Sequence, residues 1–322
     1  MALITLDDIE QLLPIFQGER GRRLAQKVLH WTGVDQLAER YGRHEDLTGP
    51  DFVDAFLKDL NVNYEVGGLD NLAALTEGPF ITVSNHPYGG LDGLILIDLI
   101  GHFRDDYKVM ANQFLNLVKT IKDNFISVVP NTNDVAKVAK ESVAGVRKAL
   151  MRIKEGHPLG LFPAGAVSDF HFRDFRVYDR EWQESAIRLI QKMKVPVLPI
   201  RFFDRNSNYF YFLGLVSWKI RTLRLPKEIL NKSGKRVRIG IGPPISVEAQ
   251  EAGIRCGNYA EILRNAVYDM TLDENLMQRN TINFEFLTKE YHKTLFLHDD
   301  YYKRSYDEEG IEGVCPFPEC AI

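Results

Sequence analysis

Short apolar runs alternate with longer amphipathic stretches through the middle of the chain. Residues 135–154 and 182–193 repeat apolar positions at helical spacing, which predicts two helices. Around them lie runs with the length and composition of buried strands, at residues 80–84, 107–111, 125–130, 159–162, 197–202, 209–213 and 237–241. Strands that alternate with helices predict an α/β fold, with a mixed, largely parallel sheet flanked by helices.

The two ends of the chain follow a different pattern, so we predict three regions. Residues 1–75 place Leu6, Ile9, Phe52 and Phe56 at helical spacing, which indicates a helical N-terminal cap. A first helix of this kind could instead lie on a membrane, although packing in a core is more common. Residues 76–246 form the predicted α/β core. Residues 247–322 form a helical C-terminal extension, with helices at 258–276 and 284–297, and end in an acidic tail.

The composition of the 322-residue chain is that of a globular protein, with 45% hydrophobic and 26% charged residues. Its net charge of −4 argues against a protein that binds nucleic acid over its whole surface. Three cysteines are too few for a disulfide framework and fit a reducing cytoplasm. Cys315 and Cys320 lack a second Cys or His pair nearby, so no metal site is expected.

The sequence also contains no segment that predicts passage through a membrane. No apolar stretch approaches the roughly 18 residues that a transmembrane helix needs. The N-terminus carries Asp7, Asp8 and Glu10 without a preceding basic region, unlike a signal peptide. We therefore expect a cytoplasmic protein, peripherally associated with the cytoplasmic face of the membrane.

A histidine and an aspartate flank a glycine turn between the run at 80–84 and the apolar residues 94–100. The stretch reads Asn85-His86-Pro87-Tyr88-Gly89-Gly90-Leu91-Asp92-Gly93. The glycines allow the backbone to fold back, so that the Asp92 carboxylate can reach one nitrogen of the His86 ring. Such a bond would leave the other nitrogen free to accept a proton, as a general base does. A capped turn without catalysis is the more common explanation for an isolated His and Asp.

A second loop follows the run at 159–162 and reads Phe162-Pro163-Ala164-Gly165-Ala166-Val167-Ser168. Backbone amides of a tight loop after a strand can stabilise an oxyanion or bind a phosphate. A P-loop is excluded, because Ala166 and Val167 stand where Lys and Ser or Thr are required. The chain also lacks the Gly-x-Ser-x-Gly turn of many serine hydrolases.

Together these blocks resemble the glycerolipid/lysophospholipid acyltransferase family. The order of the His–Asp block, the Phe-Pro-x-Gly loop and the Val197-Leu198-Pro199-Ile200 run is that of the family, over about residues 60 to 246. Five residues separate His86 from Asp92, and Arg205-Asn206-Ser207 follow the run at 197–202. Both features resemble the hemolysin-like branch, which includes O-acyltransferases that make ornithine and related aminoacyl lipids.

The resemblance implies transfer of a fatty acyl group from a thioester, on acyl carrier protein or coenzyme A, to a hydroxyl of a lyso-lipid. His86 would be the base and Asp92 its orienting partner, and no cofactor is needed because a thioester is already activated. The substrate-binding residues implied are Asn85, Gly89, Gly90, Phe162, Pro163, Ala164, Gly165, Ser168, Arg205, Asn206 and Ser207.

The chain departs from the broad family at positions that bear on the acceptor. Ala164 replaces the glutamate of Phe-Pro-Glu-Gly, and Val167 is nearest to where an arginine usually follows. Residues 125–130 also lack the expected arginine. These losses favour an acceptor without a phosphate, such as a monoacylated amino acid. The alternatives are a 1-acylglycerol-3-phosphate acyltransferase and a non-catalytic, hemolysin-like membrane-binding protein.

A basic cluster follows the aromatic run at 209–216. Aromatic residues beside basic ones suit an anionic membrane surface or an acidic carrier protein, although a solvated basic face is an equally good explanation. No recognition motif supports binding to nucleic acid. The predicted membrane or carrier docking residues are Trp218, Lys219, Arg221, Arg224 and Lys227.

Overall fold

The structure is a computed structural model that describes residues 18–75, 77–112, 118–128 and 135–285. Three of the predictions fall outside these residues: the helical spacing before residue 18, most of the helix at 284–297, and the acidic tail with Cys315 and Cys320.

The described residues form ten strands. These are β1 (Asn63–Gly67), β2 (Ile81–Ser84), β3 (Lys108–Asn112), β4 (Phe125–Val128), β5 (Leu159–Leu161), β6 (Asp169–His171), β7 (Arg176–Tyr178), β8 (Val197–Phe202), β9 (Arg236–Ile241) and β10 (Met277–Gln278).

Twelve α-helices and two 3-10 helices complete the described elements. They are α1 (Gly18–Thr32), α2 (Val34–Gly42), α3 (Gly49–Asp59), α4 (Leu69–Ala73), α5 (Gly90–Gly101), α6 (Val135–Lys154), α7 (Glu184–Met193), α8 (Asn208–Val216), α9 (Trp218–Leu223), α10 (Leu225–Leu230), α11 (Val247–Cys256) and α12 (Tyr259–Tyr268), with 3-10 turns at Lys119–Asn124 and Arg279–Thr281.

Eight strands form one sheet in the order β10-β1-β9-β8-β2-β5-β3-β4. Only the β10–β1 and β9–β8 pairs are antiparallel, and the other neighbouring strands run parallel. Strands β6 and β7 form a separate antiparallel pair. The predicted fold class, a mixed and largely parallel sheet flanked by helices, is confirmed.

Helix α5 is the most deeply buried helix next to the sheet. Its sequence is apolar on every side, and residues 91–101 are all buried, as expected for a helix covered all round. It packs in a core that includes Phe52, Phe56 and Val237. A second core contains Ile153 of α6, Ile190 of α7 and Leu263 of α12. Because α5 is held on all sides, its first turn gives a rigid base for the residues before it.

Two sequence predictions about secondary structure are wrong. The aromatic run at 209–213, predicted as a strand, lies in helix α8. Ser207 caps this helix by accepting the N–H of Phe210 at 3.2 Å, so a local cap outweighs the strand preference of aromatic residues. The predicted helix at 258–276 ends at Tyr268.

The sequence analysis also missed strands in both terminal regions. Strand β1, inside the predicted helical cap, pairs in parallel with β9, and β10 in the C-terminal extension pairs with β1. These strands are short and carry Asn63, Glu65 and Gln278, so they lack the apolar run that identifies a buried strand. Their partners, which are distant in sequence, determine their conformation.

The polar loops converge at one edge of this sheet. Strands β2, β5 and β8 are parallel neighbours, so their carboxyl ends meet there. Strand β9 runs the opposite way and begins at the same edge, beside the end of β8. In open α/β sheets, ligands bind in the crevice at this edge.

Candidate active site

His86 and Asp92 lie against each other in the turn between β2 and α5. Nδ1 of His86 is 2.9 Å from Oδ2 of Asp92, and the Asp92 side chain is fully buried. The His86 side chain remains 18% exposed. Its Nε2 atom has no hydrogen-bond partner in the described part of the chain. The geometry therefore leaves one ring nitrogen available to a substrate.

The Asp92 carboxylate also organises the turn that carries the histidine. Oδ2 accepts the backbone N–H groups of Tyr88 at 2.9 Å and Gly89 at 3.0 Å. Gly89 has φ 78° and ψ −124°, a backbone conformation that residues other than glycine rarely adopt. Burial raises the pKa of the Asp92 carboxyl, while His86 and the two N–H donors limit that rise. Gly90 begins α5 opposite Ile229.

The loop at 162–168 holds His86 from the other side. The backbone N–H of Ser168 donates to the His86 carbonyl at 2.9 Å, and the Phe162 ring lies 4.2 Å from the His86 ring, between centroids. The Ser168 hydroxyl donates to Oδ1 of Asp179 at 2.6 Å, and the His86 N–H reaches the same oxygen at 3.1 Å. The structure thus brings both predicted loops together.

Asp179 is a residue that the sequence analysis missed. It is fully buried, and it also contacts Trp182 and Tyr268 through hydrogen bonds. No local pattern marks it, because it lies after strand β7, 93 residues from His86. Its partners are close only in the folded protein.

Other residues of the 162–168 loop have partners within the chain. The Gly165 N–H donates to the Phe162 carbonyl at 3.0 Å, and the Pro163 carbonyl accepts the Gln183 N–H at 2.9 Å. The Ala164 side chain is fully buried. The Gly165 N–H, one of the loop amides predicted to be able to face a ligand, closes a tight turn.

Asn85 joins two strands. Its side-chain amide donates to the Phe202 carbonyl at 2.8 Å and accepts the Phe202 N–H at 2.8 Å. Both of its polar groups are therefore used within the chain. Asn85 therefore holds the loop against β8.

The Arg205-Asn206-Ser207 segment follows β8 and lines a separate cavity beside the Tyr88 side chain. Ser207 is occupied by helix capping and by Glu228, whose carboxylate accepts its N–H and hydroxyl, both at 2.8 Å. Arg205 donates to Asn208 at 3.1 Å at the surface. Asn206 is buried and faces this cavity.

The predicted docking residues do not form one surface. Arg221 is buried and forms an ion pair with Asp169. Arg224 packs over the Trp31 ring and Lys227 donates to Gln36 at 3.0 Å. The docking role predicted for Arg221 is therefore corrected, because this residue connects α9 to β6. Trp218 and Lys219 remain exposed.

The described residues contain no group of three or more His, Cys, Asp or Glu side chains placed to hold a metal ion. Within the same residues, no helix is long and apolar enough to cross a membrane.

Comparison with known families identifies the family of the chain. A family model described as Acyltransferase matches residues 21–275, which is most of the chain. This chain belongs to that acyltransferase family. The resemblance inferred from the motifs is thus confirmed, and so is the expectation of an enzyme.

Two relatives of the acyltransferase are named lyso-glycine lipid O-acyltransferase. The protein from Bacteroides thetaiotaomicron is 27% identical over 252 residues, or 76% of this chain and 88% of that protein. The protein from Phocaeicola vulgatus is 25% identical over 278 residues, or 83% of this chain and 96% of that protein.

A solved structure also resembles the acyltransferase. The 1-acyl-sn-glycerophosphate acyltransferase PlsC from Thermotoga maritima matches 69% of this chain and 82% of its own, with a TM-score of 0.38 and 18% identity.

Proposed function

We propose that this acyltransferase moves a fatty acyl group from a thioester to the hydroxyl of a lyso-lipid. The observation that carries the proposal is the His86–Asp92 pair, in which Nδ1 lies 2.9 Å from the Asp92 carboxylate and Nε2 has no hydrogen-bond partner in the described residues. An alcohol is a weak nucleophile unless a base removes its proton during attack. His86 is placed to be that base.

The proposed reaction proceeds without a covalent enzyme intermediate. Nε2 of His86 accepts the hydroxyl proton as the acceptor oxygen attacks the thioester carbonyl. The tetrahedral intermediate collapses, the C–S bond breaks and the ester bond remains. The thiolate then takes the proton back from the imidazolium and leaves as a thiol, so protons balance. Asp92 keeps Nδ1 protonated and stabilises the imidazolium.

We infer that the acceptor is a monoacylated amino-acid lipid. Support comes from the two relatives whose names refer to a lyso-glycine lipid, and from the absence of an arginine in the loop at 162–168. A lysophosphatidic acid acceptor and a non-catalytic membrane-binding protein are the competing hypotheses. The thioester would be carried by acyl carrier protein or coenzyme A, and the experiment below offers both.

We further propose that the enzyme docks on a membrane through an exposed apolar patch on α8 and α9. Phe212, Val216 and Trp218 are 59%, 65% and 66% exposed, which is unusual for such large side chains. The patch consists of Tyr209, Phe212, Leu215, Val216, Trp218 and Leu223. A membrane is favoured over an acidic carrier protein, because Arg221, Arg224 and Lys227 have partners within the chain.

The test of transfer compares wild type with His86→Asn and with the control His171→Asn, which changes a histidine on the separate β6–β7 pair. Each protein is incubated with acyl carrier protein or coenzyme A that carries a labelled fatty acyl group. The acceptor is either a lyso-aminoacyl lipid or lysophosphatidic acid. We expect transfer to the lyso-aminoacyl lipid, reduced about 100-fold or more in His86→Asn and retained in the control. Transfer to lysophosphatidic acid alone would refute the proposed acceptor. No transfer to either would refute the enzymatic reaction.

A further inference from the structure

A polar cavity lies beside Tyr88, which belongs to the turn between His86 and Asp92, at the edge of the sheet where β8 ends and β9 begins. Its volume is about 490 Å³, within the range of small-molecule sites. Its lining residues include Tyr88, Asp204, Arg205, Asn206, Lys232 and Lys235. They come from the His–Asp loop, from the segment after β8 and from the segment before β9. The proposed mechanism does not use this cavity.

Two buried side chains at the cavity present polar atoms without partners. The Tyr88 side chain is 1% exposed and Asn206 is 4% exposed. The Tyr88 hydroxyl, and both Oδ1 and Nδ2 of Asn206, make no hydrogen bond within the described residues. Burying such groups without partners is costly, so native proteins usually satisfy them. Because both residues line the cavity, a ligand with a donor and an acceptor would satisfy these atoms.

The cavity also carries an excess of positive charge. Lys232 is 6% exposed, and its ammonium donates to the Arg205 carbonyl at 2.6 Å, which leaves two of its three N–H donors. Among the charged residues of the lining, the cations are Arg205, Lys232, Lys235 and Arg236, and the acids are Asp204 and Glu228.

Both acids already have donors. Asp204 accepts from Arg238, and Glu228 accepts from Ser207. The free N–H donors of Lys232 are therefore placed to bind the anionic group of a ligand, and not the carboxylates of Asp204 and Glu228.

Tyr88 connects this cavity to the active site. Its backbone N–H donates to Asp92, while its ring lies 4.5 Å from the Lys232 ammonium. Asp92 is also near enough to Lys232 to interact with it electrostatically. A molecule bound to Lys232 would consequently lie beside the loop that carries His86.

We propose that this cavity binds the head group of the acceptor, as an amino-acid carboxylate next to an amide. The carboxylate would accept from Lys232 and from the Tyr88 hydroxyl. The Asn206 side chain would pair with the neighbouring amide, since it can donate to a C=O and accept from an N–H. This assignment rests on the proposed acyl transfer to an amino-acid lipid. It adds the residues that would recognise the head group.

The charge state of Lys232 makes the binding dependent on pH. The pKa of Lys232 is lowered to about 8, mainly by burial and also by Lys235, although Glu228, Asp204 and Asp92 oppose this shift. Burial raises the pKa of the Tyr88 hydroxyl, which therefore remains a donor. Since a carboxylate requires the ammonium form, its affinity is expected to fall as the pH rises through about 8.

The test measures binding without turnover by isothermal titration calorimetry. The probe is N-octanoylglycine, which has the head group but no hydroxyl to acylate, and its matched control ligand is N-octanoylglycinamide. The proteins are wild type, Lys232→Met, Asn206→Leu, Tyr88→Phe and the surface control Lys192→Met. Coenzyme A is titrated separately, because its phosphates are a second possible source of an anion.

We expect wild type to bind the carboxylate about tenfold more tightly than the carboxamide, as for a hydrogen bond to a charged group. Lys232→Met should lose this preference. Asn206→Leu should have an equally reduced affinity for both ligands, and Lys192→Met should bind both as wild type does. Equal affinity for the two ligands would overturn the proposal. The proposal would also be overturned if Lys232→Met lost its affinity for coenzyme A but kept its preference for the carboxylate ligand.

Two further observations keep the test decisive. Thermal unfolding shows whether each variant is folded. If Lys232→Met is not folded, Tyr88→Phe and the pH dependence of wild type replace it, and a pH-independent affinity would then refute the proposal. The binding assay involves no acyl transfer, so its result is independent of the transfer assay. If the wild-type enzyme binds the carboxylate but shows no activity in the transfer assay, the proposed reaction is refuted and the proposed binding site is not.

Discussion

The hydroxyl of Ser168 donates a 2.6 Å hydrogen bond to Oδ1 of Asp179, and this oxygen also accepts the backbone N–H of His86 at 3.1 Å. One buried carboxylate oxygen therefore connects the two loops that the motifs identify. The proposed base is held by Asp92 through its ring and by Asp179 through its backbone. Both contacts restrict where Nε2 can point.

Replacing Asp179 with Asn is expected to lower kcat by up to about 100-fold, the effect of displacing a catalytic group by about 1 Å. The amide has only one accepting oxygen, so it cannot satisfy Ser168, His86 and Trp182 together. The measurement is kcat and KM for acyl transfer at a temperature where the variant is folded. Asp174→Asn, in the exposed turn between β6 and β7, is the control. A variant that is less stable but has unchanged kcat would show that Asp179 only supports the fold.

Gly89→Ala is expected to reduce both stability and activity. A Cβ at this position would lie 2.9 Å from Leu225 and 3.2 Å from Val167, in addition to the strain of φ 78°. The control is Gly257→Ala, where φ is 77° and nothing lies within 4 Å of the added Cβ. Urea denaturation should show a larger loss for Gly89→Ala than for the control, with reduced transfer. Gly257 has ψ 8°, in the left-handed helical region, so equal losses would mean that neither the crowding at Gly89 nor its ψ of −124° adds to the cost of a positive φ.

Arg279→Met is expected to destabilise the protein by about 3–5 kcal/mol at neutral pH, as when one partner of a buried ion pair is removed. Arg279 donates to both oxygens of the Asp98 carboxylate at 2.7 Å, and Tyr64 donates at 2.6 Å. The side chain of Asp98 is almost fully buried. Arg188→Met removes an exposed pair on α7 and should have little effect.

The loss in Arg279→Met should also depend on pH. Burial alone would raise the pKa of Asp98, but hydrogen bonds from His102 and Arg279 hold it below its usual range. This contribution to stability is therefore present above the usual carboxyl pKa of about 3.9 and is lost as the pH falls through the lowered value. Urea denaturation of wild type and variant at pH 7 and pH 3 measures it. If the difference in the free energy of unfolding between wild type and Arg279→Met is no smaller at pH 3 than at pH 7, this account is contradicted.

The apolar patch on α8 and α9 predicts that Phe212→Asp combined with Trp218→Asp reduces binding to vesicles. Two carboxylates in the patch would be repelled by anionic lipids and would cost free energy to desolvate. Co-sedimentation with vesicles that contain an anionic phospholipid measures the effect. Met151→Asp, at an exposed apolar position on α6, is the control. Unchanged co-sedimentation of the double variant would place membrane contact elsewhere on the protein.

Local sequence determined the parts of this protein whose partners are near in the chain. The alternation of strands and helices, the caps and the turn from His86 to Asp92 depend on residues within a few positions of each other. Hydrophobic periodicity and glycine conformations act at this range. The fold class, the family and the His–Asp pair could therefore be predicted from the sequence.

Tertiary structure alone decided the rest, because the deciding contacts join residues far apart in the chain. Strand β1 forms by pairing with β9, and Arg221 is buried where it forms an ion pair with Asp169. Asp179 reaches His86 across 93 positions, and Lys232 meets Tyr88 only after folding. Burial and pairing of charges depend on which elements pack together, and no local pattern specifies them.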